Sequence, residues 1–95
     1  MFKELNPLLH SELRLGVMSI LISAESADFT YIRKETGATA GNLSVQLEKL
    51  SQAGYITIEK GFHGKMPRTT CSITKKGIEA FREYVEALQT YIRKK

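Results

Sequence analysis

The sequence predicts a mainly helical α+β domain in which an amphipathic helix feeds straight into a small two-stranded antiparallel hairpin. Three observations carry this. Leu43, Leu47 and Leu50 recur at i, i+4 and i+7 between Thr39 and Gly54, one apolar stripe of a 3.6-residue period, with Asn42, Ser44, Gln46, Glu48 and Lys49 on the other faces. Tyr55 to Ile58 and then Thr69 to Thr74 alternate apolar with polar residues in β-branched runs. Between them, residues 61–68 supply two glycines and a proline as turn punctuation, with basic side chains at the tip.

Taken in order, Asn6 and Pro7 read as the N-cap and first-turn proline of a helix running to about Ala24. Leu9, Leu13, Val17, Ile20, Leu21 and Ala24 share one face of it, and Met1, Phe2, Leu5 and Leu8 add more apolar surface than a small core needs. Glu25, Ser26 and Ala27 read as a short connector. Asp28 then caps a short helix, Phe29 to Thr36, with Phe29 and Ile32 pointing inward and Gly37 ending it. Gly37 and Ala38 form the turn before Thr39, which caps the Leu43–Leu50 helix, and Gly54 fits the left-handed position that closes it, with Tyr55 packing back on Leu50. Two helices joined by so short a glycine-containing turn make a helix-turn-helix over about residues 28–54, followed by a hairpin over about 55–74 with a loose tip.

Thr74 reads as the N-cap of a last helix over about residues 75–94, reaching about Arg93. Ile78, Phe81, Val85, Leu88 and Ile92 recur at a and d spacing, and Ala80, Tyr84, Ala87 and Tyr91 form a second stripe beside them. One stripe packs on its own domain and the other calls for a partner. Together with the surplus apolar surface at the front, this predicts a twofold homodimer through Leu5, Leu8, Leu9, Tyr84, Leu88 and Tyr91.

Ninety-five residues, 42% of them hydrophobic, suit a single domain over 1–95 with one core. The chain has no run of 18 apolar residues and its N-terminus lacks the pattern of a signal peptide, so the expectation is a cytoplasmic, nucleoid-associated protein without a membrane partner. A single cysteine excludes an intrachain disulfide and, with His10 and His63 far apart, argues against a metal site. With no phosphate-binding glycine loop and no nucleophile motif, neither a cofactor nor an enzyme is expected.

The net charge of +4 is concentrated. Residues 55–76 carry Lys60, Lys65, Arg68, Lys75 and Lys76 against Glu59 alone, while the rest of the chain is nearly balanced. That is the footprint of an element that binds a polyanion.

At Gly41 to Ser44, at Leu47 and Leu50 leading to Ala53-Gly54-Tyr55-Ile56, at Glu59 to Phe62, at Lys65 to Thr69 and at Ile73 to Gly77, the sequence resembles the winged helix-turn-helix transcriptional regulators. It is close to the small single-domain DNA-binding members related to the MarR and ArsR types, and the resemblance covers almost the whole chain. It implies that the helix from Thr39 to Ala53 is a recognition helix in the major groove, exposing Thr39, Gly41, Asn42, Ser44, Val45, Gln46 and Lys49. The hairpin is then a wing against backbone or minor groove, and the function is transcriptional control, as a repressor and homodimer on double-stranded DNA. Many relatives carry arginine or histidine at positions equivalent to Val45 and Gln46, and this chain has neither.

The residue chemistry suits that assignment. Asparagine and glutamine pair bidentately with adenine N6 and N7, and hydroxyls serve base edges or phosphates, which makes Thr39, Asn42, Ser44 and Gln46 the sequence-reading candidates. Lys60, Lys65 and Arg68, with Lys49 and Arg33 nearby, are the phosphate donors, and His63 lies at the wing tip on the solvent or phosphate side. Two other readings use the same residues. One is a winged-helix module that docks a protein and touches no DNA; the other is a regulator whose small-molecule effector sits at the dimer interface.

Overall fold

The structure, a computed structural model, describes residues 1–92. Its elements are α1 (Glu12–Ala24), β1 (Ser26–Asp28), α2 (Phe29–Thr36), α3 (Ala40–Gln52), β2 (Ile56–His63), β3 (Met66–Ile73) and α4 (Lys75–Ile92). The strands form one antiparallel sheet of order β1-β3-β2, so the four helices are joined by a three-stranded sheet rather than by a bare hairpin.

The first helix starts later than its sequence suggests. Asn6 does act as a cap, its Oδ1 accepting from the Leu8 N–H at 2.9 Å, but the turn it starts ends at His10, and Ser11 caps α1 anew. The Arg14 Nε–H donates to the Leu8 carbonyl at 2.6 Å, occupying an oxygen that a continuous helix would give to the N–H of residue 12. The expected connector is also a strand in part. Ser26, Ala27 and Asp28 lie opposite Ser72, Cys71 and Thr70, and Glu25, at a positive φ of 69°, accepts from the Ile73 N–H at 3.0 Å to extend that edge.

The helix-turn-helix forms as its caps dictate. Asp28 Oδ1 accepts from the Tyr31 N–H, Gly37 ends α2 at a φ of 72°, and Thr39 caps α3 through the Asn42 N–H. At the end of α3, Gly54 has a φ of 83°, and the Tyr55 and Gly54 N–H groups donate to the Leu50 and Ser51 carbonyls. This pair of bonds turns the chain sharply into β2 and needs the left-handed conformation that glycine adopts without penalty.

The wing is tighter than a loose tip. Pairing continues from Ile56↔Ile73 to His63↔Met66, leaving only Gly64 and Lys65 as the turn. Pro67 is tolerated because β1 ends opposite Thr70, so at that level β3 has a neighbour on one side alone. Ile56, Ile58, Cys71 and Ile73 face the core; Lys60, Phe62, Pro67 and Thr69 continue the same face beyond it.

The core gathers Leu9, Val17, Met18, Leu21, Ile32, Leu43, Leu47, Leu50, Ile56, Cys71 and Tyr84. α4 starts at Thr74, whose Oγ1 accepts from the Gly77 N–H at 2.9 Å and donates to the Gly54 carbonyl at 2.6 Å. It runs 18 residues and buries Gly77, Ala80, Tyr84 and Ala87. The stripe expected to face a partner is therefore largely the one that packs locally. Leu9 and Tyr84, two of the predicted dimer contacts, are buried inside their own chain, and the Tyr84 hydroxyl lies 2.9 Å from His10 Nδ1. Val85, Tyr91 and Ile92 are the exposed apolar side chains of α4. Phe2 stacks on Tyr91 at 4.7 Å, and the Tyr91 hydroxyl donates to the Lys3 carbonyl at 3.0 Å, strapping the N-terminal segment along the end of the helix. Arg93 and the residues after it lie outside the described residues.

Candidate nucleic-acid interface

The three buried leucines of α3 turn its opposite face to solvent. Thr39, Gly41, Asn42, Ser44, Val45 and Lys49 are all exposed, Val45 by 52%. Because every third or fourth residue is held in the core, this face is fixed in rotation about the helix axis. Thr39 spends its hydroxyl oxygen on the cap, 3.2 Å from the Asn42 N–H, so its acceptor is partly committed.

Gln46 departs from the expected outward face. It is half-buried against α1, where its Oε1 accepts from Arg14 Nη1, and its Nε2 donates to Asn42 Oδ1 at 3.0 Å. On the helical circumference it lies nearer the leucine stripe than Ser44 or Val45 do, which explains the contact. Arg14 had no signal in the sequence, since a lone arginine on the polar side of a helix is ordinary.

A groove separates α3 from the wing, lined by Phe29, Ala40, Ser44, Leu47, Lys60 and Thr69. Lys60 stands on the wing side of it, opposite Ser44 and also Glu48. Lys65 occupies the two-residue turn. Arg68 faces the outer side of the sheet, where Nη2 lies 3.6 Å from Asp28 Oδ2 and Nη1 lies 3.4 Å from His63 Nδ1. Arg33 bends back instead, donating from Nε to the Ala38 carbonyl at 3.3 Å in the helix-turn-helix turn. The structure thus brings Ser44 and Lys60 together across one groove and gathers His63 and Arg68 at the wing, while Gln46 and Arg33 hold the scaffold. Phe62 and Met66, exposed by 75% and 69%, are apolar wing residues that carry part of the resemblance but have no contact assigned to them from the sequence.

Burial pushes the Cys71 thiol up to about 11, so it stays protonated at neutral pH. Among the described residues no group of three or more His, Cys, Asp or Glu converges, and no helix is long and apolar enough to cross a membrane.

Residues 13–92 match the family described as the winged helix DNA-binding domain, which spans α1 through α4 with the wing between. The chain belongs to that family. A winged-helix chain of this kind is a DNA-binding regulator and not an enzyme. It is 32% identical over 81 residues to an uncharacterized protein from Methanocaldococcus jannaschii, covering 84% of this chain and 88% of that one. A transcriptional regulator homologue from Pyrococcus horikoshii superposes with a TM-score of 0.85 at 30% identity, over 92% of this winged-helix chain and 86% of the other. The fold alone is shared with the M. tuberculosis transcriptional regulator MOSR, whose structure is a complex with DNA: TM-score 0.72, 14% identity, 90% of this chain and 61% of that one.

Proposed function

We propose that this chain is a single DNA-binding domain that reads duplex DNA sequence-specifically, works as a homodimer, and represses transcription by occluding polymerase. The observation that carries the reading is the groove between α3 and the wing, where exposed Ser44 on the helix lies across from Lys60 on β2 with Lys65 beyond it in the turn, while exposed Asn42 stands on the α1 side of the same helix. Polar groups suited to base edges thus stand beside cations suited to phosphates, the division of labour that sequence-specific binding uses. Gly41, which has no side chain, and Val45 lie at the centre of the exposed face with Lys49 beside them, and His63 stands with Arg68 on the outer face of the wing.

The dimer surface we favour is the exposed apolar set of Phe2, Val85, Tyr91 and Ile92, with half-buried Leu5, Leu8 and Leu88 beside it. A twofold pair presents two α3 helices to half-sites about 34 Å apart. The test is selection of bound sequences from a random duplex library, followed by titration at two salt concentrations. Enrichment of a palindrome and steep salt dependence are expected.

Exposed Phe62 and Met66 favour one second reading, a wing that docks a protein. In that case no duplex is enriched and the salt dependence is shallow.

A further inference from the structure

The polar edge of α3 is not free to orient itself. Arg14 donates from Nε to the Leu8 carbonyl at 2.6 Å and from Nη1 to Gln46 Oε1, and Gln46 Nε2 donates to Asn42 Oδ1 at 3.0 Å. The direction of this chain of bonds is forced by its first member. A guanidinium has only N–H groups to offer, so the Gln46 atom facing it must be oxygen; the Gln46 NH2 then faces Asn42, and only an oxygen can accept it. Asn42 is exposed, and with Oδ1 engaged it turns its Nδ2, with two N–H donors, away from Gln46.

We propose that Arg14 is a positioning residue for base readout: through Gln46 it fixes the Asn42 amide so that α3 presents hydrogen-bond donors, selecting guanine over adenine at the base pair Asn42 reads. This rests on the proposed DNA-reading role of α3 and adds its specificity. Guanine shows two neighbouring acceptors, O6 and N7, on its major-groove edge, whereas adenine shows an acceptor beside a donor. An asparagine free to turn uses both amide atoms on adenine. One whose oxygen is held towards Gln46 directs it away from the base and offers its NH2 instead, losing half of that pairing and matching guanine. Arg14 is itself held at both ends, by Leu8 and by Gln46, so the setting is built into the α1–α3 contact and does not await the DNA.

The experiment compares wild type with Arg14→Lys, Arg14→Met and Gln46→Glu on the four base variants of one site. The position is the one whose preference disappears in Asn42→Ala. Wild type is expected to favour guanine over adenine there by roughly fivefold to a hundredfold. Arg14→Lys, still donor-only, keeps the preference. Arg14→Met, which retains the apolar stem, and Gln46→Glu, which keeps a partner for Arg14 but cannot donate to Asn42, both bring adenine to parity or above. Random-duplex affinity of Arg14→Met stays within about twofold, because no phosphate contact is removed. An adenine preference in wild type, or a guanine preference unchanged in both Arg14→Met and Gln46→Glu, overturns the inference while leaving sequence-specific binding intact. Failure of the wild type to bind any duplex removes the proposed function, and the inference with it.

Discussion

Arg68 and Asp28 face each other at 3.6 Å across the seam between the wing and the start of α2. The same carboxylate works in two directions, since its other oxygen caps α2 by accepting the Tyr31 N–H at 2.8 Å. The pair is exposed, 47% and 29%, so it contributes only about 0–1 kcal/mol to stability. In the proposed DNA-binding role its larger effect is on affinity, because a phosphate recruiting Arg68 would have to compete with a carboxylate already beside it.

Asp28→Asn separates the two roles. Asparagine caps as well as aspartate, so the thermal midpoint should hardly change. Loss of the acidic neighbour should tighten binding to any duplex and steepen the salt dependence by about one phosphate contact. Titrations over a range of salt concentrations check both; weaker binding would mean that Asp28 orients Arg68 for its contact.

Lys65→Ala combined with Arg68→Ala should weaken binding to all duplexes alike and flatten the logarithmic salt slope by about 1.8, the value for two phosphates. Ser44→Ala should instead cost roughly 1–3 kcal/mol on a selected site and little on random duplex. Equal losses on both duplexes would make Ser44 a backbone contact.

A matched pair of glycine substitutions tests the scaffold against the proposed reading face. A Cβ on Gly77 would lie 2.2 Å from the Tyr55 carbonyl oxygen, so Gly77→Ala must push α4 off β2 and should cost about 1–3 kcal/mol or more. At Gly41 a Cβ meets nothing within 4 Å, and alanine favours the helix by about 0.5–1 kcal/mol. Gly41→Ala should therefore raise stability in chemical denaturation while weakening DNA binding, since the added methyl stands where the groove edge approaches.

Much of this was legible beforehand because it is local. The leucine stripe of α3, the caps at Asp28, Thr39 and Thr74, and the left-handed Gly37 and Gly54 are all written within four residues of where they act. What could not be read is pairing at a distance. Ser26-Ala27-Asp28 has no strand propensity and becomes β1 only because β3 offers it an edge. Arg14 reaches Gln46 across 32 residues, and Arg68 reaches Asp28 across the sheet. Of the two stripes on α4, both fit a buried face by spacing, and only the shape of the core selects Tyr84.

The burial of Tyr84 decides which substitutions can test assembly. Tyr84→Glu would place a carboxylate in the core and unfold the chain, so it says nothing about pairing. Val85→Glu with Ile92→Glu, both on exposed positions, should leave the monomer folded and abolish dimerisation. Sedimentation of each form, with titration on full and half sites, checks this; a wild type that sediments as a monomer at tens of micromolar while binding fully would end the dimer proposal.

Cys71 supplies a pH signature. Its folded-state value is raised from 9.0 to about 11 by burial, so the unfolded thiol ionises first. Its contribution to stability is complete below pH 9 and declines as pH rises towards 11. The stability gap between wild type and Cys71→Ala in denaturant should accordingly shrink across that window, and the native thiol should react with disulfide reagents only as fast as the chain opens.

One junction gives the molecule its mechanics. Thr74 ties its own hydroxyl to the carbonyl of Gly54 and its own N–H to the carbonyl of Tyr55, while Gly77 lets α4 press directly on that peptide. The end of α3 and the first turn of α4 are thus welded rather than hinged. A tilt imposed along α4, by a second copy or by anything wedged beneath it, would arrive at α3 as a rotation of the face we propose meets DNA.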